Sequence, residues 1–132
     1  MTMLMSITNR PHYLSPTDEA AARRLALSLA QSGYHVRLTG SATKVADYGD
    51  VDLLICPSNA TAELPHHLDT AVRRATDLCR GTVTHALLSA AISYNGGVVQ
   101  ARYHLDVSGR RFDVCYMPRA PPLHDSYALR SF

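Results

Sequence analysis

The chain has 132 residues, 46% of them hydrophobic and 18% charged, which suits one folded domain with its own core and excludes a disordered chain. Thirteen basic against eleven acidic side chains leave a net charge of +2, too little to argue nucleic-acid binding from bulk charge. No apolar run approaches the roughly 18–20 residues of a membrane helix, and Cys56, Cys79 and Cys115 form neither a disulfide framework nor a Cys-x-x-C metal site.

The opening Met-Thr-Met-Leu-Met-Ser lacks a basic n-region and a cleavage site, so the expectation is a cytoplasmic protein with no membrane attachment. The first element is a helix from about Pro16 to Ser32. Ser15 serves as its cap, Asp18 completes a box-like Ser-x-x-Asp, and Ala22, Leu25, Ala26 and Leu29 recur at helical spacing up to Gly33. Residues 34–39 alternate as a strand does and stop at Gly40-Ser41, after which Ala42 to Tyr48 has room for one or two helical turns. Asp50 to Cys56 reads as a mostly buried strand closed by Pro57.

A second helix is expected between about Ala60 and Arg80. Pro65 marks its true start, Leu64, Leu68, Ala71, Val72, Ala75 and Leu78 form its apolar face, and Gly81 stops it. Thr82 to Tyr94 suits helix and strand equally. Beyond Asn95-Gly96-Gly97, the segments 98–107 and 110–117 flank Ser108-Gly109, a two-residue hairpin turn. The tail 118–132, with Pro121-Pro122, reads as irregular.

Chemistry concentrates on three aspartates. Asp50 and Asp52 are two apart at the start of an apolar strand, and residues i and i+2 of a strand share a face. Two carboxylates so placed repel unless a cation lies between them, and hard oxygen ligands suit Mg²⁺. Asp113 holds a similar place in the last strand, so pairing of the two strands would converge three carboxylates. Upstream, Gly40-Ser41 offers a backbone that a phosphate can approach and a hydroxyl beside helix N–H groups. The plainer alternatives are a solvated strand start for Asp50 and Asp52, an exposed position after a hairpin for Asp113, a helix cap for Ser41 and a surface lysine for Lys44. The seven histidines lack ligand spacing, and adjacent His66 and His67 point to different sides of a helix.

With these residues in place, the chain resembles the nucleotidyltransferase superfamily typified by DNA polymerase beta. The likeness rests on Leu38-Thr39-Gly40-Ser41, on Gly49-Asp50-Val51-Asp52-Leu53-Leu54-Ile55 and on Arg110-Arg111-Phe112-Asp113-Val114. It implies an α/β (α+β) fold, a mixed sheet of four or five strands with helices on one face. It also implies that Asp50, Asp52 and Asp113 are catalytic and bind Mg²⁺ or Mn²⁺, and that Gly40 and Ser41 cradle a nucleoside triphosphate. Where polymerase palms carry Arg-Arg-Gly after Gly-Ser, this chain has Ala42-Thr43-Lys44, leaving Lys44 as the substitute for phosphate binding. The chain stops soon after Pro118, which leaves no room for a thumb. The expected activity is therefore transfer of a nucleoside monophosphate to a nucleic acid or protein acceptor. The enzyme would be a small stand-alone one, working with a partner protein of the toxin-antitoxin kind or as a homo-oligomer. A minimal family X polymerase palm and an inactive nucleotide-binding module are the alternatives.

Overall fold

The computed structural model describes residues 12–58, 67–94, 97–119 and 127–129. Helix α1 spans Pro16–Gln31, with the Ser15 hydroxyl accepting from the Asp18 N–H and Pro16 at the first turn. Ala22, Leu25, Ala26 and Leu29 are all buried along one stripe. Only half of the expected capping box forms. The Ser15 N–H donates to the Tyr48 hydroxyl instead of to Asp18, whose carboxylate is engaged elsewhere.

Strand β1, Tyr34–Thr39, leads through Gly40 into a single 3-10 turn, Ser41–Thr43, shorter than the helix expected there. The Lys44 and Val45 N–H groups both converge on the Ser41 carbonyl, and the Thr43 hydroxyl donates to the Gly40 carbonyl, which closes the turn. Strand β2, Val51–Pro57, follows, so Asp50 stands just before the strand, not within it.

Helix α2 spans Leu68–Leu78, while the expected start at Pro65 and the lead-in from Ala60 lie outside the described residues. Its buried stripe runs through Leu68, Ala71, Val72 and Ala75 to Cys79. Leu78, expected on that face, is 61% exposed because it sits at the stripe's edge and Cys79 takes the inward position. Arg80, with φ of 55°, supplies the left-handed residue after the helix. Gly81 is needed for a different reason: a Cβ there would lie 2.7 Å from the Asp106 backbone oxygen and 2.8 Å from Val107 Cγ2.

The undecided segment is strand, β3, Thr82–Tyr94, paired antiparallel with β4, Gly97–Val107, with irregularities after Val83 and Leu88. Ser108 and Gly109, at φ of 55° and 80°, turn β4 into β5, Arg110–Tyr116, as the sequence implies. Part of the tail is not irregular. Tyr127–Leu129 forms β6 and pairs with β1, covering backbone groups that a sheet edge would leave open.

The six described strands run β3-β4-β5-β2-β1-β6, more than the four or five expected, because β3 and β6 both join. Only β2 and β5 pair in parallel; the other neighbours are antiparallel. The class is mixed α+β. Leu38, Leu53, Tyr103, Leu105, Phe112, Val114 and Tyr116 pack with the apolar stripes of both helices into one core, so α1 and α2 share a face of the sheet. The alternate residues of the same strands, Thr39, Asp52, Asp113, Arg102 and His104 among them, therefore point to the opposite face. Among the described residues no helix is long and apolar enough to cross a membrane.

Gly81→Ala is expected to destabilise the fold by about 1–3 kcal/mol, because the backbone oxygen it would meet cannot move aside. Thermal melting of the variant should show a midpoint several degrees lower; an unchanged midpoint would refute the close approach of α2's end to β4.

Candidate active site

Strand register places five residues in one row across the face opposite the two described helices. Thr39 is opposite Asp52, Asp52 opposite Asp113, Asp113 opposite His104, and His104 opposite His85. With strands about 4.8 Å apart, neighbouring side chains of such a row are in reach of one another. The sequence-based expectation that Asp52 and Asp113 meet is thus realised by the parallel pairing of β2 with β5.

The two carboxylates interact directly. Asp52 is pushed up to about 6, first by burial, then by the charges of Asp113 and Asp50 and by a hydrogen bond with Asp113, against the pull of Arg111. Protonation of Asp52 relieves the repulsion from its neighbouring carboxylates. Gly40 stands against this pair: its φ is 79°, and a Cβ there would lie 2.8 Å from Asp52 Cγ, overlapping the carboxylate. Glycine serves both conformation and contact.

Arg111 is the counter-ion of the cluster. Its Nε lies 2.9 Å from Asp113 Oδ1 and 3.9 Å from Asp50 Oδ2, and a terminal nitrogen lies 3.0 Å from His104 Nε2. A guanidinium only donates, so that contact requires His104 Nε2 to accept and the ring to be neutral. Burial, the largest influence on His104, also favours the neutral ring. Asp50 is brought to the edge of the group, 43% exposed. Ser41 and Lys44 are exposed on the turn beyond Gly40.

Among the described residues, no three His, Cys, Asp or Glu side chains stand close enough together to hold an ion as they are. Arg111 bridges Asp50 and Asp113, and with half of its side chain exposed it is free to swing outward. The donor set itself is hard: carboxylate oxygens, two of them already in contact. Such a donor set would suit a hard divalent cation such as Mg²⁺ or Mn²⁺, which Asp52, Asp113 and Asp50 would hold.

A buried network fixes the loop before Asp50. The Tyr48 hydroxyl donates to Asp18 Oδ2 at 2.5 Å, and Arg110 Nε donates to the same oxygen at 3.0 Å. Arg110 also reaches the Tyr48 and Gly49 carbonyls at 3.2 and 2.9 Å and stacks 4.7 Å over the Tyr48 ring. The first turn of α1 thereby ties the loop to the start of β5, one residue from Arg111.

Sequence reasoning overlooked Thr39, Arg102 and His104, all of which line a cavity of about 250 Å³ with Asp52, Asp113 and Arg111. The signal was present in the hairpin. A two-residue turn sets 107 opposite 110, and counting back places His104 opposite Asp113 and Arg102 opposite Cys115. His104, read from sequence only as one of seven histidines without ligand spacing, is placed beside Asp113 by this register.

No family model and no curated protein matches the chain.

The raised Asp52 carboxyl gives a pH signature. Its folded value, about 6, lies above the unfolded 3.8, so its contribution to stability is fully present below pH 3.8 and is lost as pH rises through 6. Relative to Asp52→Asn, the metal-free wild type should lose stability between pH 4 and pH 7. Denaturant unfolding of both proteins across that window tests this, and parallel curves would contradict the raised Asp52 carboxyl.

Proposed function

We propose that this chain is a metal-dependent nucleotidyltransferase that moves a nucleoside monophosphate from a nucleoside triphosphate to a hydroxyl acceptor. The observation that carries the reading is the Asp52–Asp113 pair, set directly opposite on parallel strands with Gly40 against Asp52. A half-buried pair of like charges destabilises a fold, and a divalent cation at its mouth would relieve it. The resemblance of the Gly40-Ser41, Asp50-Val51-Asp52 and Phe112-Asp113 segments to polymerase beta-like enzymes supplies the reaction class.

Mg²⁺ or Mn²⁺ held by these carboxylates would lower the pKa of the acceptor hydroxyl and offset charge on the leaving pyrophosphate. Asp50 and Asp52, on the Gly40 side, hold the nucleotide end of the site. The left-handed turn at Gly40, with Ser41 beyond it, lets phosphate oxygens approach the backbone beside Asp52. Asp113 faces the acceptor and is placed to receive the hydroxyl proton as the new oxygen–phosphorus bond forms and the α–β bridging bond breaks. Arg111 neutralises the carboxylates before substrate arrives and, once displaced, is available to a phosphate.

A second reading, a binding module without catalysis, draws on the contacts of Arg111 with Asp113 and Asp50. Incubation with labelled nucleoside triphosphates, Mn²⁺ and a panel of DNA, RNA and protein acceptors separates the two. Transfer should occur, and Asp52→Asn and Asp113→Asn should each lower it by at least about a hundredfold while the fold persists. Full activity in either variant would refute the assignment, and nucleotide binding without transfer on any acceptor would favour the module.

A further inference from the structure

The described sheet has two edges. One is blunt, since β6 is three residues long. The other is β3, Thr82–Tyr94, at 13 residues the longest described strand, and among the described residues no strand pairs with its outer side.

Edge strands ordinarily deter pairing with charged side chains or proline. Here that pattern is inverted. Strands β1, β2, β4 and β5 each carry charge, whereas residues 82–94 contain no Lys, Arg, Asp, Glu or Pro. Leu87 and Leu88 are 42% and 46% exposed on this strand. Being successive, they lie on opposite faces of the sheet: Leu87 is opposite Arg102 on the carboxylate face, and Leu88 is opposite the core residue Ala101 on the helix face. A helix or a small ligand laid on either face would cover one leucine and leave the other wet. A strand added alongside β3 covers both and also satisfies its outward N–H and C=O groups.

We propose that the outer edge of β3 is the seam of a homodimer, in which β3 of a second copy pairs antiparallel with it and joins two sheets into one. Charge favours a second copy over a strand of another protein. Two-fold antiparallel pairing sets a strand against itself, so a charge near the axis meets its own copy, and a strand without charge escapes that repulsion. An edge suited to a different protein has no such restriction and gains specificity from charges. The irregularities after Val83 and Leu88 confine regular pairing to residues 85–88, which places the axis at Ala86 or Leu87 and holds one register. Because that axis is perpendicular to the sheet, both carboxylate rows open on the same face. Their Asp113 residues are then five strand spacings, about 24 Å, apart across the sheet. A seam one strand wide suits a dimer of about micromolar strength. It stands whether or not the site transfers nucleotides.

Sedimentation velocity of the full chain, from low to high micromolar concentration, tests this. The wild type should pass from monomer to dimer. Leu87→Lys and Leu88→Lys, one on each face, should each weaken dimerisation about tenfold or more with an unchanged far-ultraviolet circular dichroism spectrum. Leu78→Lys, the same change at an exposed leucine on α2, should leave dimerisation as it is. Leu87→Glu should weaken it as Leu87→Lys does, and an equimolar mixture of the two variants should regain it, because these positions meet across the axis. A wild type that stays monomeric, dimers that persist in both Leu87→Lys and Leu88→Lys, an equal loss in Leu78→Lys, or a mixture that fails to dimerise would each overturn the proposal.

Discussion

The parallel pairing of β2 with β5 is the constraint on which the rest depends. It sets Asp52 opposite Asp113 with no turn or loop between them to absorb the conflict. Two unit charges about 5 Å apart repel by about 3 kcal/mol at an effective dielectric near 20, which acts with burial to push Asp52 up to about 6. Folding accepts that repulsion because the opposite face of the same two strands, Leu53 and Ile55 against Val114 and Tyr116, anchors the core beneath both helices. Core and site are two faces of one pairing.

Around that pair the chain deploys three different remedies. Below about pH 6 a proton neutralises Asp52, Arg111 pairs with Asp113, and burial is limited by leaving Asp50 at the rim. Each remedy is reversible. The proton leaves as pH rises, Arg111 is half exposed, and Asp50 is close enough to turn inward. A cation entering the site would therefore meet Asp52 and Asp113 side by side, with partners that can be displaced. The rigid part lies elsewhere, in the Asp18–Tyr48–Arg110 network that holds the loop before Asp50 and the start of β5 in fixed relation.

Much of this was legible from sequence because it depended on short-range rules. The cap at Ser15, the alternation of β1 and β2 and the Ser108-Gly109 turn all follow from local chemistry, and the three aspartates stand out by spacing. What escaped was set by pairing at a distance. Thr82 to Tyr94 carries alanines and β-branched residues in balance, and its partner β4, not its own periodicity, makes it a strand. Tyr127–Leu129 is too short to show alternation and is a strand only because β1 offers an edge. Asp18 looked like half of a capping box, yet Tyr48 and Arg110, distant in sequence, claim its carboxylate. His104 showed no ligand spacing and Arg102 carried no sequence signal until the hairpin register was carried through to Asp113 and Cys115.

The central claim is that Asp52 and Asp113 together form the seat of a divalent cation. Titration of Mn²⁺ by electron paramagnetic resonance, at pH 5 and pH 7, measures it without any assumption about acceptor or reaction. Because the cation must displace the proton on Asp52, affinity should rise several-fold or more from pH 5 to pH 7, and Asp113→Asn should abolish binding at both. Equal affinity at the two pH values, or Mn²⁺ binding that survives Asp113→Asn, would contradict the account.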